Sequence, residues 1–364
     1  MRVLVTGVGG LVGSAFAELA HARGHEVVGV ESNARAGWFG WAASVDWRVT
    51  ELRHLGVRVV WGDFRRHLGL VRGVDAVVHC AGQPSHEFSL GHAVEDFDIN
   101  AVATISLLEA VRYHAPEAAF VFLGTNKVYG DRVNSMNYFV EDTRLQPDPF
   151  SFSAGVSAHG VNEDFPLDAS LHTPFGVSKL AADLMVQEYS RSFGLKTACF
   201  RCGCITGRSG SAAELHGFLG YLVKRAVAGM MYRVYGHQGR QVRDNLAAED
   251  LAEAILAWLA YPVGGVYNMG GGPGNSVSVR EAVNYLREDK GLGFAVDWTG
   301  PPRLGDHVWW ITDTSRFESV YTEWKRTRSV QEMLDEMVRC EQGRRGAEGG
   351  FEAVAAGIEP EAGV

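Results

Sequence analysis

A phenyl ring and a lysine stand four residues apart in Leu171-His-Thr-Pro-Phe175-Gly-Val-Ser-Lys179. On a helix, positions i and i+4 share a face, so Phe175 and Lys179 point the same way. A tyrosine at 175 would make a proton-transfer pair, because the lysine charge lowers a phenol from a pKa of about 10 toward neutrality. The ring here has no hydroxyl. The other groups whose types could move a proton are His86, Lys127, Cys202, Cys204 and Lys179 itself. Each also has a plainer reading. His86 serves equally well as a surface histidine, and buried cysteines are more often small apolar packers.

These residues need elements to hold them. Arg2–Thr6 reads as a short buried strand, and Gly7-Val-Gly9-Gly10-Leu11-Val12-Gly13 follows directly. The next helix runs from Ser14 to Arg23, Gly24 ends it, and Glu26–Val30 is a second strand. This strand, glycine loop, helix and strand make the unit that binds a dinucleotide. The glycines permit close approach to a pyrophosphate, and the helix N-terminus faces it with positive potential. Glu31, at the end of the second strand, suits the two ribose hydroxyls and selects NAD over NADP; Arg35, with Asn33 close by, is the counter-argument.

Further strands are expected over Val57–Trp61, Asp75–Cys80, Ala119–Leu123 and Leu195–Arg201. Their ends carry Gly62-Asp63-Phe64, Cys80-Ala81-Gly82-Gln83, Gly124-Thr125-Asn126-Lys127 and Cys202-Gly-Cys204. Alternation with helices implies a doubly wound parallel sheet, whose ligands lie at the carboxyl ends of the strands. Ala93–His114 is expected as one long helix containing Asn100, and Thr173–Phe193 as another, with Pro174 in its first turn. Residues 33–55, with Trp38, Phe39, Trp41 and Trp47, read as an insertion with its own packing, and 131–172 as a long irregular loop over the site. The domain expectation is 1–200 for the nucleotide-binding part, with some of 240–270 returning to it. A smaller mixed α/β substrate domain takes 201–340, and 341–364 is a disordered tail.

The net charge of −9 argues against nucleic acid or an anionic membrane as the main partner. No apolar run spans a bilayer and no leader precedes the first strand, so a cytoplasmic location is expected. The chain has five cysteines, an odd number that fits free thiols. Cys199, Cys202 and Cys204 cluster without a fourth ligand, so no metal is expected.

The sequence resembles the NAD-dependent sugar epimerase/dehydratase branch of the extended short-chain dehydrogenase/reductase superfamily. The resemblance covers about residues 1–340 through Thr6-Gly7-x-x-Gly10-x-x-Gly13, Gly62-Asp63, Ala81-Gly82, Asn100, Thr125, Lys179, Arg201 and Arg243-Asp244. Within that branch it is most similar to the CDP-paratose (tyvelose) 2-epimerase-like subgroup. Thr125-Asn126-Lys127-Val128-Tyr129-Gly130-Asp131, Glu214-Leu215-His216-Gly217-Phe218, Gly239–Asp244 and Tyr267–Gly272 carry this closer likeness.

The resemblance implies tightly held NAD that oxidises a sugar hydroxyl to a ketone and later returns the hydride. It places the glycines on the pyrophosphate and Asp63 near the adenine. Lys179 falls on the nicotinamide ribose and Thr125 on the reacting hydroxyl. Arg243 and Arg303 fall on substrate phosphates, where a guanidinium fork fits. His86, Asn126, Lys127 and His216 join the substrate side, and a homodimer through the two long helices is implied. Phe175 falls where this family usually has its catalytic tyrosine. Three readings stand: a natural phenylalanine with another group carrying the proton, a binder without activity, or an engineered Tyr→Phe change that traps a ligand. Epimerisation leads, elimination of water is the close alternative, and an NAD-binding scaffold is the third.

Overall fold

The computed structural model describes residues 1–214 and 216–355, without the side-chain surroundings of 346–355. Seven parallel strands form the central sheet: β1 (Arg2–Thr6), β2 (Glu26–Glu31), β3 (Arg58–Trp61), β4 (Ala76–His79), β5 (Ala119–Thr125), β6 (Lys196–Cys202) and β7 (Gly265–Met269). Their spatial order is β7-β6-β5-β4-β1-β2-β3, a doubly wound sheet with its topological switch between β1 and β4. The strands are near-continuous Val, Phe and Ala because both faces are covered. Val3, Val5, Val78 and Val121 face one buried cluster, while Leu4, Val77, Phe120 and Phe122 face the other.

Helix α1 (Leu11–Ala22) begins at the glycine loop. The expected long helix over Ala93–His114 forms, with a turn of π-helix over Asp98–Val102 around Asn100. Such turns cluster at functional sites. Helix Thr173–Phe193 has the expected bounds, with Pro174 in its first turn and Gly194 ending it at φ 72°. Its first residue, Thr173, is β-branched yet left-handed at φ 59°, a strained start beside Phe175.

Residues 131–172 differ from the open loop expected. They form two small hairpins, Tyr138–Glu141 with Arg144–Pro147 and Val156–Ser157 with Gly160–Val161. Val133, Met136, Val161 and Phe165 pack with Trp309 and Trp310 in a buried cluster, so scattered apolar residues hold the segment down. The second lobe carries Val242–Ala247 between Cys204–Thr206 and Ser276–Ser278, with Trp309–Trp310 also paired to it. Strand β7 returns to the main sheet beside β6.

The last helix extends into the stretch expected as a tail. It runs Val330–Ala355, and within it Arg344 donates to the Arg208 carbonyl at 2.6 Å and lies 4.1 Å over the Trp47 ring. A Gly- and Ala-rich stretch can continue a helix whose preceding turns are anchored. Residues 356–364 of that expectation lie outside the described residues. No helix among the described residues is long and apolar enough to cross a membrane.

Candidate active site

Two cavities meet at the carboxyl ends of the strands. The first follows the glycine loop. Gly7 is left-handed at φ 68°, and a Cβ there would come 2.9 Å from Ala81 Cα; a Cβ on Gly13 would strike the Gly7 carbonyl oxygen. The loop is therefore a cradle of bare backbone at the start of α1, lined also by Gly10, Leu11 and Val12. Glu31 closes one side. Its Oε2 accepts the Gly9 N–H at 2.9 Å, and its Oε1 accepts those of Ser32 and Asn33 at 2.9 and 2.8 Å. Burial pushes this carboxyl up, and the three donors oppose that push. A carboxylate offers about four acceptor positions, so room remains for a ribose hydroxyl.

Asn33 and Arg35, both expected at the cofactor and Arg35 also as the counter-argument to NAD, have partners at the cleft mouth. Asn33 is left-handed at φ 56°, and its side chain donates to Ser44 Oγ and accepts from the Val45 N–H. Arg35 donates to the Ser211 carbonyl at 2.7 Å and lies 3.4 Å from His216 Nδ1. Ser211 Oγ in turn donates to the Ser44 carbonyl and accepts the Trp47 indole N–H at 3.0 Å. The 33–55 insertion is thus pinned across the cleft mouth to Ser211 and His216. Asp63 and Phe64 line the cleft farther along; Asp63 is tied to Arg65, and Phe64 packs edge-on against His79.

Under the turn Ala81-Gly82-Gln83 lies a buried polar knot. Asn100 accepts the Gln83 N–H at 3.0 Å and donates to the Gln83 carbonyl, to Asp96 Oδ1 and to Ser178 Oγ. Asp96 was not singled out from the sequence. The available signal was its i,i+4 spacing from Asn100 on the same helix. A Cβ on Gly82 would lie 2.7 Å from Lys179 Nζ and 2.8 Å from Asn100 Oδ1, so only glycine lets the turn pass here. Lys179 is buried, with its Nζ 5.2 Å from the Phe122 ring centroid. Burial lowers its pKa to about 8, against the opposing charge of Asp96.

The second cavity opens beyond Thr125 and Phe175, which line both. Thr125 Oγ1 accepts the Lys127 N–H and donates to Asn126 Oδ1. Lys127 Nζ donates to Asp306 Oδ1 at 3.2 Å, and Arg243 donates to the same oxygen at 2.8 Å. Burial alone would raise Asp306; Arg243 and Lys127 hold it well below the usual carboxylate range. Two cations against one carboxylate leave this wall positive. Arg303 pairs with Glu87 at 2.9 Å and lies 3.9 Å over the Tyr235 ring. His86 Nδ1 is buried without a partner, and burial brings that ring down to about 4, so it is neutral at pH 7.

The cysteines are poor proton carriers. Cys202 lines the first cavity and Cys204 the second, and burial pushes each thiol up to about 12; burial also raises Cys80. Arg201, expected at the cofactor, lies outside both cavities. It forms a two-pronged pair with Asp183, at 3.0 and 2.8 Å, and donates to Tyr129 Oη. That buried pair fastens β6 to helix Thr173–Phe193 from beneath. Among the described residues no His, Cys, Asp and Glu side chains group to hold a metal ion.

The fold and the glycine cradle define a dinucleotide-binding α/β protein with a second lobe over the strand ends. The model of the NAD dependent epimerase/dehydratase family matches residues 3–270, and the chain belongs to that family. It is 32% identical to CDP-paratose 2-epimerase of Salmonella typhi over 302 residues, covering 79% of this chain and 84% of that one. A dTDP-glucose 4,6-dehydratase of Mycolicibacterium smegmatis is 27% identical over 344 residues, covering 89% and 92%. Among solved structures, the UDP-glucose 4-epimerase of Thermus thermophilus in complex with NAD aligns with a TM-score of 0.73 at 27% identity. That alignment covers 94% of this chain and 99% of that one. NAD fits the cleft: the cradle admits only glycine at Gly7 and Gly13, and Glu31 stands where a 2′-phosphate would be repelled.

Proposed function

We propose that this chain modifies the sugar of a nucleotide-sugar, nucleotide or nucleoside through a transient ketone, most simply by epimerisation as in CDP-sugar 2-epimerases. The observation that carries this is the shared wall: Thr125 and Phe175 border both cavities, with Lys179 behind them on the cofactor side. NAD, when bound, accepts and returns the hydride. Gly7, Gly10 and Gly13 hold its pyrophosphate, Glu31 the adenosine ribose and Lys179 the nicotinamide ribose. Thr125 Oγ1 orients the reacting hydroxyl, and Arg243 and Arg303 take the substrate's phosphates. Phe175 offers no proton acceptor. Lys179, with a pKa of about 8, is a neutral amine in about one molecule in ten at pH 7 and takes the hydroxyl proton in that form. The ammonium so formed then protonates the alkoxide left when hydride returns to the ketone, so no net proton is consumed. The thiols are disfavoured by their raised pKa values, and His86 by its weak basicity.

Elimination of water is a second reading. It is favoured by the missing hydroxyl at 175, which alters proton handling, and by dTDP-glucose 4,6-dehydratases among the relatives. Incubating the NAD-loaded protein with CDP-, UDP- and ADP-sugars and with nucleosides in deuterated water separates the two. An epimer of unchanged mass without deuterium supports the first reading, and loss of one water supports the second. No product from any of them, with NAD retained, sinks both in favour of an NAD-binding scaffold. We also propose a homodimer through the two long helical segments, supported by exposed Val94, Phe97 and Val102 on one and Val177 and Leu184 on the other. A monomeric mass in sedimentation of the full chain would refute it.

A further inference from the structure

The reaction described so far uses none of the side chains in the buried knot beneath Gly82, and Asp96 is the acidic one among them. Asp96 is completely buried. Its Oδ1 accepts from Gln83 Nε2 at 2.9 Å and Asn100 Nδ2 at 3.1 Å, and its Oδ2 accepts from Ser178 Oγ at 2.5 Å. Those donors come from three elements. Gln83 belongs to the turn along the cofactor cleft. Asn100 sits in the π-helical turn, and Ser178 immediately precedes Lys179 in helix Thr173–Phe193. Burying a carboxylate is expensive unless a positive charge or several donors compensate. Burial raises the Asp96 carboxyl, and the three donors and the charge of Lys179 oppose that push. Asp96 and Lys179 are not in direct contact. Gly82, whose absent Cβ would touch both Lys179 Nζ and Asn100 Oδ1, lies between the lysine and the knot.

We infer that Asp96 is a positioning residue for the reaction: it fastens the turn, the π-helical segment and the helix of Lys179 together, and its charge holds the Lys179 ammonium in the cleft. This rests on the reading that Lys179 carries the proton that Phe175 cannot. The other groups facing Lys179 supply no competing charge at neutral pH. Cys80 and Cys202 are thiols there, His79 and His216 are neutral, and Phe122 offers its ring. Asp96 is thus the negative group among those neighbours. It sets how much of Lys179 is available as a base and how much as a charged ligand for NAD.

Asp96→Asn isolates the charge. The side chain is the same size, and its amide oxygen keeps the Gln83 and Asn100 donors. Its NH₂ then donates to Ser178 Oγ, whose own hydroxyl hydrogen turns to the Phe175 carbonyl, already 3.0 Å away. The native protein is expected to gain kcat/KM as pH rises through about 8, as the Lys179 amine is freed. It should lose NAD affinity over the same range, read without turnover from the fluorescence of Trp38 in the cleft wall. In Asp96→Asn both limbs move to lower pH by about one unit, because removing a nearby opposite charge favours the neutral amine. A lowered Tm with both limbs unmoved would reduce Asp96 to a structural residue and overturn the inference. Lys179→Met tests the reading beneath it. If the alkaline rise and the pH dependence of NAD affinity persist there, Lys179 is not the titrating group. If they vanish in Lys179→Met but do not move in Asp96→Asn, the failure belongs to Asp96 alone.

Discussion

The cofactor cleft and the substrate cavity share a wall but are built by opposite means. The cleft is shaped by what is missing. Gly7, Gly13 and Gly82 leave out side chains, and backbone N–H groups do the rest. The substrate cavity is shaped by charges already engaged with one another: Lys127 and Arg243 on Asp306, and Arg303 on Glu87. The first arrangement is local and makes one kind of site. The second consists of ion pairs, which on the proposed reading a substrate's phosphates would re-partner. This fits a family whose members share NAD and differ in sugar and reaction.

The sharpest way to break that contrast is to put one methyl group in the cradle. Gly13→Ala drives a Cβ into the Gly7 carbonyl, with Val8 Cα 3.0 Å away. Overpacking of this kind costs on the order of 3 kcal/mol. We expect NAD affinity to fall by at least about a hundredfold in equilibrium binding, consistent with that cost at 1.4 kcal/mol per decade. Gly37→Ala, on the same side of the molecule with nothing within 4 Å of its Cβ, should be silent. Equal effects of the two would mean that the cradle is not the constraint.

On the substrate side the loss should be separable. Arg243→Ala removes one of two cations from Asp306 and leaves Lys127 in place. KM for the active nucleotide-linked substrate should rise about a hundredfold, in line with truncating a partner in a buried charge pair, while NAD affinity stays as it was. If NAD binding falls as well, the cavities are coupled through this wall and the contrast drawn above fails.

The same contrast explains what could be read in the sequence. The glycine cradle was legible because its residues adjoin and their chemistry is backbone geometry. Helix Thr173–Phe193 was legible at both ends because Pro174 and Gly194 mark them. The pairing of Lys127 with Asp306 joins residues 179 positions apart, and no local pattern announces it. The partner of Arg201 is hidden for the same reason: Asp183 waits on a neighbouring helix. Residues 131–172 read as irregular because their apolar positions are spaced for packing against distant Trp309 and Trp310, with no helical or strand period. Asp96 stood in the sequence between Glu95 and Asp98 with only its spacing from Asn100 to set it apart. Its three partners come from three elements, so its meaning is tertiary.

The smallest expected effect lies where the two cavities are tied across their mouth. Ser211 receives the Trp47 indole N–H, donates to the Ser44 carbonyl and offers its own carbonyl to Arg35. Trp47 also carries the Arg344 guanidinium of the last helix. Ser211→Ala removes the two bonds made by the hydroxyl and keeps the one to the carbonyl. At about 1 kcal/mol for each such bond, and with the Arg35 contact and the ring stacking intact, the insertion should open more often without coming away. The expected result is NAD release about three- to tenfold faster, measured by exchange against labelled NAD, with kcat changed less than about twofold, in keeping with hydrogen bonds of that strength. Faster release with unchanged turnover would show that the insertion gates the cofactor alone. An unchanged release rate would show that it only packs, and that the cradle alone retains the cofactor.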